Sequence, residues 1–204
     1  MGRLVDNIET YLEAADGGDI LEIGMDRGEG STPWFINYAK RKGIRYVGCD
    51  IMRQKQMTQL LNNPPEHCEF HIMPGEDYLR SVLDSDQKFS TVYLDNFDWN
   101  YWGEKGNGLI TNQKKDYEAH HPHCPQFDNV HSQAAHLNQC ILLTACLTPN
   151  AVVVCDDTWY DADNLVYLGK CGAAIPYLVS IGFCVTHTQG VKQNSCVVLT
   201  RQCS

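Results

Sequence analysis

The sequence predicts an α/β domain in which helices cover both faces of a mostly parallel sheet. Short apolar segments alternate along the chain with segments whose apolar residues have helical spacing. The short segments are apolar throughout, as strands that are buried on both faces require. A glycine-rich turn follows the first of them, and several later ones end on an acidic residue. Because ligands bind at the carboxyl ends of strands in such sheets, these turns form the candidate site.

The predicted elements follow one another in a regular order. Strands are expected at 19–24, 46–50, 69–73, 91–95 and 151–155, with a closing antiparallel pair at 183–187 and 196–201. Helices are expected at 4–15, 32–42, 53–61, 76–83 and 129–147, with helical segments over 161–180. Pro33 in a first turn and Gly43 after a last turn support the bounds of the second helix. Residues 96–128 are an irregular insertion that is rich in aromatic residues, histidine, glycine and proline.

Length and composition fit a single domain that covers residues 1–204. No run of about 18 apolar residues predicts a membrane span, and the first residues lack the apolar core of a signal peptide. The ten cysteines show no C-x-x-C spacing, so a zinc ribbon or a thioredoxin-like site is unsupported. Several of them lie inside apolar runs, as small core residues do, which favours reduced thiols and a cytoplasmic protein. A net charge of −9 without a basic block argues against a nucleic-acid partner.

The turn after the first strand carries the strongest signal. Gly24, Gly28 and Gly30 allow the backbone to approach a ligand closely, and a helix N-terminus follows them. A dinucleotide-binding turn would have glycine where Asp26 stands. The carboxylates of Glu22 and Asp26 would repel a pyrophosphate but attract a sulfonium and an amino group. This charge favours S-adenosylmethionine over a nicotinamide dinucleotide.

Acidic residues also follow the second and third strands. Asp50 ends the second strand, where one carboxylate can accept hydrogen bonds from both hydroxyl groups of a ribose. Glu76 and Asp77 follow the third strand, where an adenine edge would lie. The alternative for this pair is that the two carboxylates only stabilise the start of a helix.

These pieces, in this order, resemble the class I S-adenosylmethionine-dependent methyltransferase superfamily. The matching pieces are Leu21-Glu22-Ile23-Gly24 with Gly28, Val47-Gly48-Cys49-Asp50, Gly75-Glu76-Asp77, Leu94-Asp95 and Val154-Cys155-Asp156-Asp157. The resemblance implies a Rossmann-like seven-stranded sheet with strand order 3-2-1-4-5-7-6, its seventh strand antiparallel. It also implies S-adenosylmethionine as the cofactor. The residues expected to contact this cofactor are Glu22, Gly24, Met25, Asp26, Gly28, Ser31, Asp50, Ile51, Glu76, Asp77 and Asp95.

The ends of the fourth and fifth strands would be neighbours in that sheet. Asp95, Asp156 and Asp157 would converge there, and a hard cation such as Mg²⁺ would relieve their repulsion. The arrangement is similar to metal-dependent O-methyltransferases of the catechol type and their sugar-modifying relatives. It implies Mg²⁺-dependent methylation of a small phenol or sugar hydroxyl. The alternative is that Asp156 and Asp157 cap a turn while Asp95 only touches the cofactor.

The position of the expected general base differs from the pattern of those related enzymes. The related enzymes often carry lysine or histidine three residues after the strand-four aspartate, where this sequence has Asp98. Asp98, His120 and His121 are therefore the candidate bases. We expect residues 96–128 to form a lid over the acceptor. Their aromatic side chains would pack on a ring or sugar face or, alternatively, on the domain or on a second subunit of a homo-oligomer.

Three other functions compete with this interpretation. Methylation of nucleic acid or protein would keep the fold and the cofactor, although the net charge disfavours nucleic acid. A non-catalytic binding module would keep the fold alone. A nicotinamide oxidoreductase is disfavoured by Asp26 and by the lack of a second substrate domain.

Overall fold

The computed structural model describes residues 8–15, 17–101, 114–115, 117–120 and 126–201. Nine strands lie within these ranges. They are β1 (Asp19–Ile23), β2 (Tyr46–Asp50), β3 (Cys68–Ile72), β4 (Phe89–Leu94), β5 (Leu147–Asp156), β6 (Thr158–Asp161), β7 (Val166–Gly169), β8 (Phe183–Gln189) and β9 (Cys196–Arg201). Seven of them form one sheet in the order β3-β2-β1-β4-β5-β9-β8, and β6 and β7 form a separate two-stranded sheet.

The main sheet confirms the predicted fold class. Strands β1 to β5 run parallel, whereas β9 runs antiparallel to both β5 and β8. When only the strands of this sheet are counted, their order is 3-2-1-4-5-7-6 with the seventh strand antiparallel. The carboxyl ends of β1, β2, β4 and β5 therefore lie side by side at one edge of the sheet.

Helices cover both faces of the sheet. They are α1 (Ile8–Leu12), α2 (Ser31–Lys42), α3 (Thr58–Asn62), α4 (Gly75–Val82), α5 (Asn129–Leu143) and α6 (Ala174–Ser180), and a 3₁₀ turn (Lys55–Met57) precedes α3. One buried apolar cluster joins the sheet to α4, α5 and α6, and a second joins it to α1 and α2. Gly43 ends α2 in the left-handed conformation, and the Asp128 carboxylate caps α5 by accepting from His131 N at 2.8 Å.

The prediction of helical segments over 161–180 is wrong for its first half. Strands β6 and β7 form an antiparallel hairpin there, and helix begins only at Ala174. Tyr160 pairs with Tyr167 across the hairpin, with ring centroids 5.0 Å apart. Aromatic and β-branched residues favour such pairs, and this preference overrode the helical spacing of the segment. The Asp161 carboxylate accepts the backbone amide of Asp163 in the connecting turn.

Within the described residues, no helix is both long and apolar enough to cross a membrane. Eight cysteines lie in the same ranges, and all of them are free thiols. Six of these thiols are buried, as expected of small core residues.

Candidate functional site

Gly24 brings the turn after β1 against the turn after β4. Its backbone has a φ of 99°, and a Cβ atom at this position would lie 2.3 Å from the backbone nitrogen of Asn96. The neighbouring backbone is also tied together, since Asp95 N donates to Ile23 O at 2.8 Å. Glycine is therefore required here by both conformation and space.

Asp50 fixes the glycine-rich turn from the neighbouring strand. Its Oδ2 accepts the backbone amides of Met25 at 2.8 Å and Asp26 at 2.9 Å, and its Oδ1 accepts that of Met52 at 3.1 Å. Burial raises the pKa of Asp50 to about 6, although these three hydrogen bonds favour the ionised form. The predicted cofactor residue thus lies at the mouth of the site and also shapes the turn.

Glu22 lies beneath the turn and not at its surface. Its side chain is fully buried and accepts hydrogen bonds from the hydroxyl groups of Ser31 and Tyr46. Burial raises the pKa of Glu22 to about 7, and the two hydroxyl donors oppose that rise. The carboxylate therefore supports the turn and the start of α2, and Ser31, a predicted cofactor residue, is directed towards Glu22.

The other predicted residues of the turn have distinct positions. Met25 is buried, and its sulfur lies over Gly48, where a Cβ atom would be only 2.1 Å from it. The Asp26 side chain is exposed and pairs with Arg27 at 3.0 Å. Gly28 has a φ of 72° and donates its amide to Met25 O at 2.8 Å. The turn thus offers mainly backbone and the Asp26 carboxylate to a ligand.

Glu76 and Asp77 both lie in the first turn of α4. Glu76 is buried and accepts a hydrogen bond from Gln139 Nε2 on α5 at 3.3 Å. Asp77 forms an ion pair with Arg80 at 2.8 Å. These contacts agree with the helix-start alternative, and a contact with adenine remains a prediction.

Part of the insertion packs on the domain. Phe97 stacks on Phe127 with ring centroids 5.3 Å apart, and its backbone amide donates to the Tyr117 hydroxyl. Ile51, a predicted cofactor residue, packs against this apolar group. Tyr117 and Phe127 are buried, so their rings pack on the protein. This agrees with the alternative prediction, in which aromatic residues of the insertion pack on the domain.

The structure describes only some residues of the predicted lid. His120 lies on an exposed helical turn. Residues 102–113, 116 and 121–125 lie outside the described residues, and His121 and Trp102 are among them. The lid and the catalytic roles of both histidines therefore remain predictions.

The predicted convergence of Asp95, Asp156 and Asp157 is confirmed. One carboxylate oxygen from each residue lies within 4.8 Å of the other two. Asp156 is buried, and burial together with the charges of Asp95 and Asp157 raises its pKa well above the ordinary range. Such a group of carboxylates needs a proton or a cation to relieve its repulsion.

Lys170 supplies a cation that the sequence did not predict. Its side chain is only 1% exposed, and its Nζ lies 2.6 Å from Asp95 Oδ1, 3.2 Å from Asp157 Oδ2 and 3.6 Å from Asp98 Oδ1. Burial alone would lower the pKa of Lys170, but the surrounding aspartates raise it well above its usual value. The side chain is therefore a buried ammonium ion within a ring of carboxylates.

The hairpin explains why this residue was missed. Lys170 directly follows β7, which lies in the segment that was expected to be helical. Gly169 has a φ of 91°, and a Cβ atom there would lie 2.0 Å from Asp157 O. The hairpin thus returns the chain to the end of β5, where Lys170 N donates to Asp157 O at 3.1 Å.

The aspartates have the donor chemistry of a Mg²⁺ site, but their present arrangement does not fit one. Carboxylate oxygens are the ligands that this cation prefers. The ammonium of Lys170, however, already contacts two of the three predicted ligands, Asp95 and Asp157. The side chains as arranged hold an internal cation in contact with these carboxylates.

Aromatic side chains stand beside the aspartate cluster. Trp159 in β6 meets Trp99 edge to face at 6.1 Å and stacks on Tyr101 at 6.0 Å. Tyr101 also makes a side-chain hydrogen bond with Asp157. Burial raises the pKa of Asp98 in this region, and Lys170 opposes the rise. Aromatic rings, the Asp98 carboxylate and a fixed cation thus occur together.

Comparison with known proteins shows the class to which this fold belongs. No family model and no curated protein matches the sequence. A S-adenosylmethionine-dependent methyltransferase from Methanosarcina mazei has a TM-score of 0.55 and 14% identity, covering 98% of each chain. The S-adenosylmethionine-bound amino pentose methyltransferase from Micromonospora echinaspora has a TM-score of 0.53 and 12% identity, covering 95% of this chain and 88% of that one.

A third similar structure carries both a substrate and a cofactor product. It is the 1,6-didemethyltoxoflavin-N1-methyltransferase from Burkholderia thailandensis, with bound 1,6-didemethyltoxoflavin and S-adenosylhomocysteine. Its TM-score is 0.51 at 16% identity, over 97% of this chain and 75% of that one. The structure therefore has the class I fold of S-adenosylmethionine-dependent methyltransferases.

Proposed function

We propose that this protein is a S-adenosylmethionine-dependent methyltransferase that methylates a hydroxyl group of a small molecule. The observation that carries the proposal is the meeting of two groups of residues at one sheet edge. One is the glycine-rich turn held by Asp50, and the other is the aspartate cluster that contains Lys170. The fold shared with such methyltransferases supports the same function.

The residues present suit this cofactor. Asp50 lies half-buried at the mouth of the turn, in a position to accept hydrogen bonds from the ribose hydroxyls. Asn96 is buried next to Gly24, and neither atom of its side-chain amide has a partner among the described residues. A buried amide without partners favours a ligand or an ordered water beside it. Glu76, Asp77 and Asp95 are the further proposed contacts, while Glu22 supports the turn through Ser31.

The acceptor would lie between the cofactor and the aromatic residues near Asp157. Trp99 and Tyr101, which pack against the buried Trp159, would contact its ring face. Bound S-adenosylmethionine supplies a methyl group on a positively charged sulfur. The protein orients the acceptor hydroxyl towards it, and Asp98 accepts the hydroxyl proton. Asp98 is better placed than His120 because it belongs to the cluster around Lys170.

The finer predictions from the sequence remain proposals. A phenol or a sugar is the preferred acceptor, and two similar structures are named for small acceptors, an amino pentose and didemethyltoxoflavin. The Mg²⁺ site predicted at Asp95, Asp156 and Asp157 is not part of this proposal, because Lys170 already contacts two of its three ligands. A cytoplasmic location, a homo-oligomer and the absence of a nucleic-acid partner also remain predictions.

Calorimetric titration with S-adenosylhomocysteine tests this proposal directly. We expect one site per chain with micromolar affinity, and no binding of NAD under the same conditions. If a folded sample, judged by circular dichroism, binds no S-adenosylhomocysteine, the methyltransferase proposal fails and the non-catalytic module becomes the better explanation.

A further inference from the structure

We propose that the ammonium group of Lys170 takes the place of the divalent cation in the aspartate cluster, so that the reaction needs no metal. This inference rests on the proposed function for its catalytic consequence. Its structural part, a site filled by a side chain, can be tested without any activity.

The contacts of Lys170 are those of a cation bound by the cluster. Its Nζ lies within 3.3 Å of three oxygens, namely Oδ1 and the backbone oxygen of Asp95 and Oδ2 of Asp157. A fourth oxygen, Oδ1 of Asp98, lies at 3.6 Å. An ammonium ion has three hydrogens to donate, and this environment provides an acceptor for each. The ammonium therefore occupies a position among oxygens that a bound cation would otherwise take.

Lys170 is fixed in this position by its backbone. Its own amide donates to Asp157 O, and the next amide, of Cys171, donates to Thr158 Oγ1 at 3.0 Å. Both anchors belong to the segment that directly follows β5, so the backbone of Lys170 is attached next to Asp156 and Asp157. The side chain is only 1% exposed. Turning away from the cluster would leave a buried charge without partners.

A divalent cation on the same oxygens would meet this ammonium directly. Mg²⁺ binds carboxylate oxygens at about 2.0–2.1 Å. Shared use of Asp95 and Asp157 would place the metal and Nζ a few ångströms apart, where like charges repel strongly at low dielectric. Lys170 therefore acts as a tethered competitor of the metal. As a positioning residue, it holds the carboxylates of Asp95 and Asp157 in place beside the proposed acceptor site.

Titration of the full chain with Mn²⁺ tests the competition. Wild type is expected to show no saturable binding at millimolar Mn²⁺, followed by calorimetry and by the electron paramagnetic resonance signal of the free ion. Lys170→Met removes the competitor and is expected to bind one Mn²⁺ per chain, more than about tenfold more tightly than wild type. Lys170→Arg keeps the charge and is the matched control, with no gain in binding. If Lys170 had only a structural role, neither variant would bind Mn²⁺ more tightly than wild type.

Several outcomes would overturn the proposal. One-to-one Mn²⁺ binding by wild type is sufficient to refute it, even if Lys170→Met fails to fold. A folded Lys170→Met that binds Mn²⁺ no better than wild type also refutes it. Methyl transfer that is lost in EDTA and restored by Mg²⁺ is the third such outcome. Titration of the same samples with S-adenosylhomocysteine separates the two proposals, because lack of cofactor binding refutes the methyltransferase function while the Mn²⁺ result still decides the role of Lys170.

Discussion

The Nζ atom of Lys170 lies 2.6 Å from Oδ1 of Asp95, a residue 75 positions earlier in the chain. Asp95 directly follows β4, and Lys170 directly follows the β6–β7 hairpin. The contact thus joins the central sheet to a separate two-stranded sheet. It also places a permanent positive charge where acidic strand ends converge. The aspartate cluster, the proposed acceptor end of the site, is therefore built by the sheet and the hairpin together.

Substitution of Asp50 is expected to weaken cofactor binding. Asp50→Ala removes the proposed ribose contact and the acceptor of the Met25 and Asp26 amides. We expect the affinity for S-adenosylhomocysteine to fall by about tenfold to a hundredfold, as for the loss of charged hydrogen bonds. Calorimetry measures the change, with the exposed Asp84→Ala as the matched control. Unchanged affinity in a folded Asp50→Ala would refute the assignment.

Substitution of Gly24 is expected to destabilise the protein. Gly24→Ala would force a Cβ atom to within 2.3 Å of Asn96 N at a φ of 99°. We expect a loss of about 2–4 kcal/mol in the free energy of unfolding, from strain and overpacking. Gly43→Ala is the control, since Gly43 has a φ of 68° but open space around it, and about 1 kcal/mol is expected there. If urea denaturation shows equal losses of unfolding free energy for both variants, the close approach of Gly24 to Asn96 contributes nothing to the destabilisation.

The positions of the strand ends could be predicted from sequence, but the contacts of the side chains could not. Asp50, Asp95 and Asp156 follow or end buried apolar strands, and the topology of a parallel sheet brings such ends together. Glu22 also lies close to the end of a buried strand, yet its hydrogen bond with Tyr46 of the next strand could not be read from the sequence. Lys170 was missed because cross-strand pairing in the hairpin decided the local structure.

Substitution of Asp98 is expected to slow the reaction without affecting the cofactor. Asp98→Asn keeps the shape of the side chain but cannot accept a proton from the acceptor hydroxyl. We expect kcat to fall by about a hundredfold to ten-thousandfold, the usual contribution of a general base. The release of S-adenosylhomocysteine with an acceptor found by screening hydroxyl compounds measures this rate. Asp84→Asn is the control, and similar rates for both variants would leave His120 or His121 as the base.

The stability of the protein is expected to depend on pH through Glu22. Its pKa is raised from 4.5 to about 7, so the folded state binds this proton more tightly than the unfolded state does. The stabilisation is therefore complete at low pH and is lost as the pH rises through 7. Between pH 6.5 and 8 we expect Glu22 to reduce the free energy of unfolding by about 1 kcal/mol.

Urea denaturation of wild type and Glu22→Gln at the two pH values measures this contribution. Glutamine cannot titrate, and its amide oxygen can still accept from Ser31 or Tyr46. The variant should therefore lose less stability than wild type as the pH rises. His136, whose pKa burial lowers to about 4, changes stability in the opposite direction but equally in both proteins. Parallel pH profiles would show that Glu22 is already ionised at pH 6.5 and that its two hydroxyl donors outweigh its burial.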